Sequence, residues 1–185
     1  MMEEVKKPLL TPRQIGMAAA FGGAALAIVL AGITIPIPGT VVVTDPREPF
    51  TTIGSALTGP IGGLVIGFLA GIAEPGIPWA SLLAHIVGCL YMGFAYKKLV
   101  YTRFKALWMK LVGWAILVLI YYFIVVVPLF VVGIWIFYPA ETGGEAFLTL
   151  LGVLEAGAVP EAVLTTIFTT IIMGIIPERF RRPIW

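Results

Sequence analysis

The sequence predicts an all-α integral membrane protein, a single membrane domain over residues 1–185 with about six transmembrane helices. Three observations carry that reading. Of the 185 residues, 59% are apolar and only 12% charged, with a mean hydropathy of +1.02. A soluble chain of that size cannot hide so much apolar side chain, so the surplus faces lipid. Apolar runs are separated by proline, glycine and basic punctuation, and nearly all the basic residues fall on one side of a six-helix map.

The first helix is expected over 14–33, behind Lys6, Lys7 and Arg13. More apolar segments follow it at once, with no small-residue cleavage site and soluble remainder, which predicts a permanent helix instead of a removable signal. Pro36, Pro38 and Gly39 close it. The stretch Ile33 to Thr44 is too broken by proline for helix and rich enough in valine to pair as a short hairpin. Asp45, Pro46 and Glu48 read as a cap, with Asp45 accepting from first-turn amides and Glu48 at the capping-box position. They open a short second helix over 46–58.

Gly59 and Pro60 break that helix, and a third is expected over 61–73, before Pro75 and Gly76. The fourth, 78–96, stops at Lys97 and Lys98 and carries Cys89, a small hydrophobe with no partner for an internal disulfide. The fifth, 106–138, is longer than the bilayer core at about 1.5 Å per residue, so it tilts, bends at Pro128 or projects. The last, 160–176, ends before Pro177. Ahead of it, Thr142 to Val159 is glycine-rich yet apolar, with Phe147, Leu148, Leu150, Leu151 and Leu154. That composition predicts a lid folded over the outer face or an interfacial segment.

With the N-terminus cytoplasmic, eleven of the twelve Lys and Arg residues lie inside and only Arg47 outside. Five or seven helices would put Arg179, Arg181 and Arg182 on the wrong side, so six is the parity that works and both termini are expected in the cytoplasm. The same map places Asp45, Glu48, Glu74, Glu141, Glu145, Glu155 and Glu161 outside, seven of the ten acids. They are either ordinary solvated loop residues or an attraction for a cationic ligand.

Small residues recur every fourth position on the first helix, Ala19, Gly23, Ala27 and Ala31 on one line and Gly16, Ala20 and Ala24 beside it. The third helix repeats the device with Gly59, Gly63, Gly67 and Gly71. In lipid such stripes let backbones approach and drive helix association. Spacing alone does not say whether a stripe meets the same chain or another protein; a second stripe hints at an external partner.

Enzyme constellations are missing from the sequence. There is one His and one Cys, with no HExxH, phosphate loop or nucleotide fingerprint, so no enzyme activity, ATP-driven pumping or cofactor is expected of this chain. An ion-coupled carrier is disfavoured because nothing charged lies between Lys110 and Glu141. The polar groups at membrane depth remain. His85, about two turns into the fourth helix, is either a ligand-site residue or a satisfied interhelical hydrogen-bond partner. Glu74 is a cap or loop carboxylate unless it meets a ligand, and Trp79 and Tyr138 read as interface anchors. Tyr121 and Tyr122 lie deeper, and a buried phenol wants a partner. Thr165, Thr166, Thr169 and Thr170 can bond back to their own helix.

From Phe50 to Leu99, the short helix, the Gly59-Pro60 turn, Gly63, Gly67 and Gly71, the acid at Glu74, Ile77-Pro78 and a helix with Gly88 and Gly93 resemble the substrate-binding S components of energy-coupling factor transporters. The small-xxx-small first helix, the length and the six-helix layout resemble them too. The resemblance implies high-affinity binding of a vitamin or related micronutrient in a pocket on the extracellular side, and no ATP hydrolysis by the chain itself. It also implies docking through the first helix on a transmembrane coupling protein that carries two ATPase subunits, in the cytoplasmic membrane and with no nucleic acid involved. Carried onto this chain, the docking face is Gly16, Ala20 and Ala24 or the neighbouring Ala19 and Gly23. Asp45, Glu48, Glu74, Trp79, His85, Tyr122, Glu155 and Glu161 are the side chains that can converge on the pocket. Metal-transporting members resemble one another in a His-bearing N-terminus, which this chain lacks, so no metal is expected; the outer acids favour a cationic or amine-bearing organic molecule. The competing expectations are a structural assembly subunit of a larger membrane complex and a carrier acting alone.

Overall fold

A computed structural model of the chain describes residues 9–36, 43–44, 46–142 and 146–185. It is an all-α bundle, and five of its helices are long and apolar enough to cross a membrane, as a multi-pass membrane protein requires. The elements are α1 (Pro12–Leu30), β1 (Ile35–Pro36), β2 (Val43–Thr44), α2 (Glu48–Ile72), α3 (Pro78–Ala95), α4 (Leu107–Ile120), α5 (Val127–Phe137), α6 (Phe147–Ile175) and the single turn α7 (Glu178–Arg181). A π-helical stretch, Tyr121–Val126, makes α4 and α5 one rod, and a second, Tyr96–Tyr101, prolongs α3.

α1 starts after Thr11, whose hydroxyl accepts from the Gln14 amide while the Gln14 side chain accepts from the Thr11 amide, a capping box with Pro12 at the first helical position. After α1 the chain makes the expected small hairpin, Ile35 opposite Thr44 and Pro36 opposite Val43.

α2 is continuous in sequence but not in direction. Gly59 has φ +85°, which only glycine adopts without strain, and Pro60 follows it. The Nη1 of Arg47 nevertheless donates to the Ala70 carbonyl at 3.0 Å, although a straight helix would separate residues 47 and 70 by about 34 Å. The helix therefore folds back at Gly59, giving legs of 11 residues (48–58) and 13 residues (60–72). Counting the legs separately gives the six helical segments expected, with the break where the sequence placed it.

The second leg lies antiparallel on α3 through a glycine ladder. A Cβ on Gly63, Gly67 or Gly71 would meet the backbone of Cys89, His85 or Leu82 at 2.5–2.6 Å, and one on Gly93 would meet Gly59. This stripe is an internal seam, so it is not the external docking face that a second stripe hinted at. The first leg is enclosed over most of its length, every residue from Thr51 to Gly59 being buried. Two threonine hydroxyls bond back to the helix, Thr52 to the Glu48 carbonyl and Thr58 to the Gly54 carbonyl, each at 2.7 Å.

Four boundary expectations need correction. The cap of α2 is Arg47 and makes no side-chain cap bond; Glu48 turns inward, and Asp45 lies outside the described residues. α3 does not stop at Lys97, because its π turn carries helix on to Tyr101. Pro160 does not start the last helix but sits inside α6, which begins at Phe147. The apolar stretch expected as a lid is thus the first three turns of a 29-residue helix, since burying one missing amide hydrogen bond costs less than leaving the backbone of 147–159 without partners. In the long rod, Pro128 follows directly on the π-helical turn Tyr121–Val126 and stands in the first turn of α5.

Candidate functional site

The polar centre grows from the turn into α2. Arg47 closes the mouth of the hairpin, with Nη1 on the Ala70 carbonyl and Nη2 2.6 Å from Glu74 Oε2 at the end of the second leg. Its Nε is 3.9 Å from Glu48 Oε1. Glu48, in the first turn of α2 where the helix dipole favours an anion, is 3% exposed. Its Oε1 is 2.9 Å from His85 Nε2 on α3, and its Oε2 accepts from Tyr121 Oη at 2.7 Å and Thr51 Oγ1 at 2.8 Å.

His85, also 3% exposed, has its other nitrogen 2.8 Å from the Ser81 carbonyl. A carbonyl only accepts, so Nδ1 carries a proton and donates. The Nε2–Oε1 contact then holds one further proton, as an imidazolium–carboxylate pair or as a neutral imidazole accepting from a carboxylic acid. Ser81 Oγ, 3.1 Å from Nδ1, leads on to Glu74 Oε2 at 3.5 Å. Glu74, with 23% of its side chain exposed, is the open end of a chain of contacts that runs inward to Tyr121.

Depth gives the cluster its interest. Tyr121 is the residue where the Leu107–Phe137 rod turns from α to π geometry, about 21 Å from one end and 24 Å from the other at helical rise. From Tyr121, at mid-rod, the contacts lead through Glu48 and His85 to Arg47 and Glu74 at the hairpin mouth, inside a bundle that carries many large apolar side chains on its outside. Ionisable groups inside a membrane are rare and mark function unless they only pair with one another. The π turn also brings Tyr121 and Val126 against Gly88, where a Cβ would meet the Tyr121 ring and a Val126 methyl, each at 2.7 Å.

Of the side chains expected to converge, the structure joins Glu48, Glu74 and His85. Tyr122 belongs to a neighbouring pair of bonds, donating to Thr165 Oγ1 at 3.0 Å and reaching Glu161 Oε1 at 3.2 Å; its ring stands edge-on to Tyr121 at 5.5 Å. Trp79 does not join them: it is 56% exposed, and its backbone amide donates to Tyr138 Oη at 3.2 Å, a contact that ties two interfacial residues together. Glu155, half-buried on the first turns of α6, has no described contact with the cluster. Arg47 and Tyr121 were missed as members. The signal for Arg47 was its isolation, as the one basic residue that the six-helix map leaves apart from the other eleven.

The faces of α1 are sorted cleanly. Gln14, Ala18, Gly22 and Ala25 are buried against α2, with Gln14 Nε2 on the Thr58 carbonyl at 3.0 Å. Gly16, Ala19 and Ala20 are exposed and Gly23 and Ala24 half-buried, with open space around Gly16 and Gly23.

No family model and no curated protein matches the chain.

Proposed function

We propose that the chain is a high-affinity binding subunit for uptake of a vitamin or related micronutrient, an S component of an energy-coupling factor transporter working with a separate ATP-driven module. The observation that carries the reading is the Arg47–Glu48–His85–Tyr121 cluster, with Glu74 at its open end. It concentrates directional polar groups inside an otherwise apolar bundle, the pattern of a small-molecule site, and its two acids against one arginine favour an amine-bearing or cationic organic molecule. The uncovered small-residue face of α1 suits docking on a coupling protein. The described chain ends meet at one end of the bundle, where Thr11, Arg13, Arg182 and Trp185 border one groove; the positive-inside rule makes that end cytoplasmic.

Native mass spectrometry of the detergent-purified chain from rich medium tests the reading. A stoichiometric small-molecule adduct, lost in Glu74→Gln, is expected. Empty protein whose melting is unmoved by a vitamin panel would overturn it. One observation favours a second reading, a structural subunit of a larger complex: Glu48 and His85 already spend their bonding capacity on protein partners. That subunit would bind nothing alone and would co-purify with other membrane proteins.

A further inference from the structure

We propose that the groove between the start of α1 and the segment after α6 is a site for the phosphate of an anionic phospholipid. It is lined by Thr11, Arg13, Arg179, Arg182, Ile184 and Trp185 and encloses about 440 Å³. The three arginines are exposed, and none has a carboxylate partner among the described residues, whose ion pairs involve Arg47, His85 and Lys110 instead. Three guanidiniums brought to one groove repel one another until an anion joins them. A phosphodiester is an anion that their planar donor forks grip in bidentate fashion.

Position selects the lipid over other phosphates. Arg13 is the second residue of α1 and Arg179 lies four beyond the end of α6, so both guanidiniums sit within about one turn of the ends of membrane-length helices, at headgroup level. Close by in sequence, Ile15 and Ile175 are exposed and supply apolar surface for acyl chains. α1 and α6 make no extended contact with each other, which leaves that surface open to lipid.

The groove wall is also preformed. The Ile184 amide donates to the Leu57 carbonyl at 3.0 Å, Lys97 Nζ donates to the Trp185 carbonyl, and the Trp185 ring lies where a Cβ on Gly59 would be. A headgroup bound there braces the tip of the α2 hairpin. The inference does not depend on the uptake reading.

The test is thermal unfolding of the full chain in a neutral detergent with added phosphatidylglycerol, phosphatidylcholine or inorganic phosphate. The triple variant Arg13→Gln, Arg179→Gln, Arg182→Gln is compared with Lys98→Gln, Arg103→Gln, Lys105→Gln, which removes equal charge outside the groove. Phosphatidylglycerol is expected to raise the midpoint by several degrees in the parent and in the second variant but not in the first, with no response to phosphatidylcholine or free phosphate. A response that survives in the groove variant overturns the proposal, because the lipid then acts at another place on the chain. A response lost equally from both variants overturns it as general surface charge, and free phosphate acting as well as the lipid overturns it as a soluble-anion site. Should the triple variant fail to fold, Arg182→Gln alone is expected to retain fewer phosphatidylglycerol adducts in native mass spectrometry, and unchanged retention counts against the site.

Discussion

Replacing Glu48 by alanine and by glutamine separates the two things its carboxylate does. In Glu48→Ala, the buried Tyr121 Oη and His85 Nε2 lose partners at 2.7 and 2.9 Å, whereas Thr51 keeps the Glu48 backbone carbonyl at 2.9 Å. Two orphaned buried groups cost about 1–3 kcal/mol each, in line with about 3–5 kcal/mol for breaking a buried charged pair from one side. In Glu48→Gln the side-chain carbonyl still accepts from Tyr121, and the amide can donate to Nε2 of the imidazole tautomer that keeps its proton on Nδ1. Only the charge is lost, and Arg47 keeps Glu74 at 2.6 Å, so the expected loss is about 1 kcal/mol, that of a single net hydrogen bond. Thermal unfolding in detergent, followed by tryptophan fluorescence, reads the difference. Equal midpoints for the two variants would refute the account, because they would mean that the cluster is solvated and its hydrogen bonds carry no weight.

Other substitutions probe the scaffold. Gly67→Ala drives a methyl to 2.5 Å from the His85 carbonyl oxygen, a backbone neighbour that cannot rotate away; a loss of about 1–3 kcal/mol is expected in the same unfolding assay. Gly59→Ala forces an L residue to φ +85° under the Trp185 ring, costing at least about 1 kcal/mol, and a changed Trp emission is the specific sign that the groove wall has moved. Trp114→Phe removes the indole bond to Thr169 Oγ1 at 3.0 Å from the α4–α6 contact and is expected to cost about 1 kcal/mol. Gly16→Leu, on open space beside α1, is expected to leave the melting of the isolated chain unchanged while abolishing co-purification with a coupling protein.

The helical bundle was legible because lipid imposes a simple rule on sequence: long apolar runs, and punctuation where they stop. Gly59-Pro60 was read as a break for a local reason, and that reason holds. The ends of α3 and α6 were misread because proline and lysine were taken as terminators; inside a bilayer the backbone keeps its own hydrogen bonds at almost any local cost, so Pro160 and Lys97 stay helical. The glycine stripe of α2 announced a close seam without naming its partner, since register against α3 is set by shape and not by spacing. Glu48 and His85 were singled out separately, but 37 residues divide them, and only the fold-back at Gly59 brings the start of α2 beside the middle of α3. Arg47 falls on the outer side of the six-helix map as the exception to the charge rule, and no one-dimensional pattern shows that its guanidinium reaches across a hairpin mouth.

The enclosed first leg of α2 bears on how the protein is made. Eleven residues span about 16 Å, and a segment that short, opening on a carboxylate and carrying Thr51, Thr52, Ser55 and Thr58, is too polar and too brief for the translocation machinery to release into lipid by itself. It must enter as one half of a hairpin whose other half supplies the hydrophobicity. It settles only when its neighbours have closed around it. Lesions in the glycine seam or at the hairpin tip will therefore show first as failed membrane integration and rapid proteolysis in the cell, before any effect on what the finished protein does.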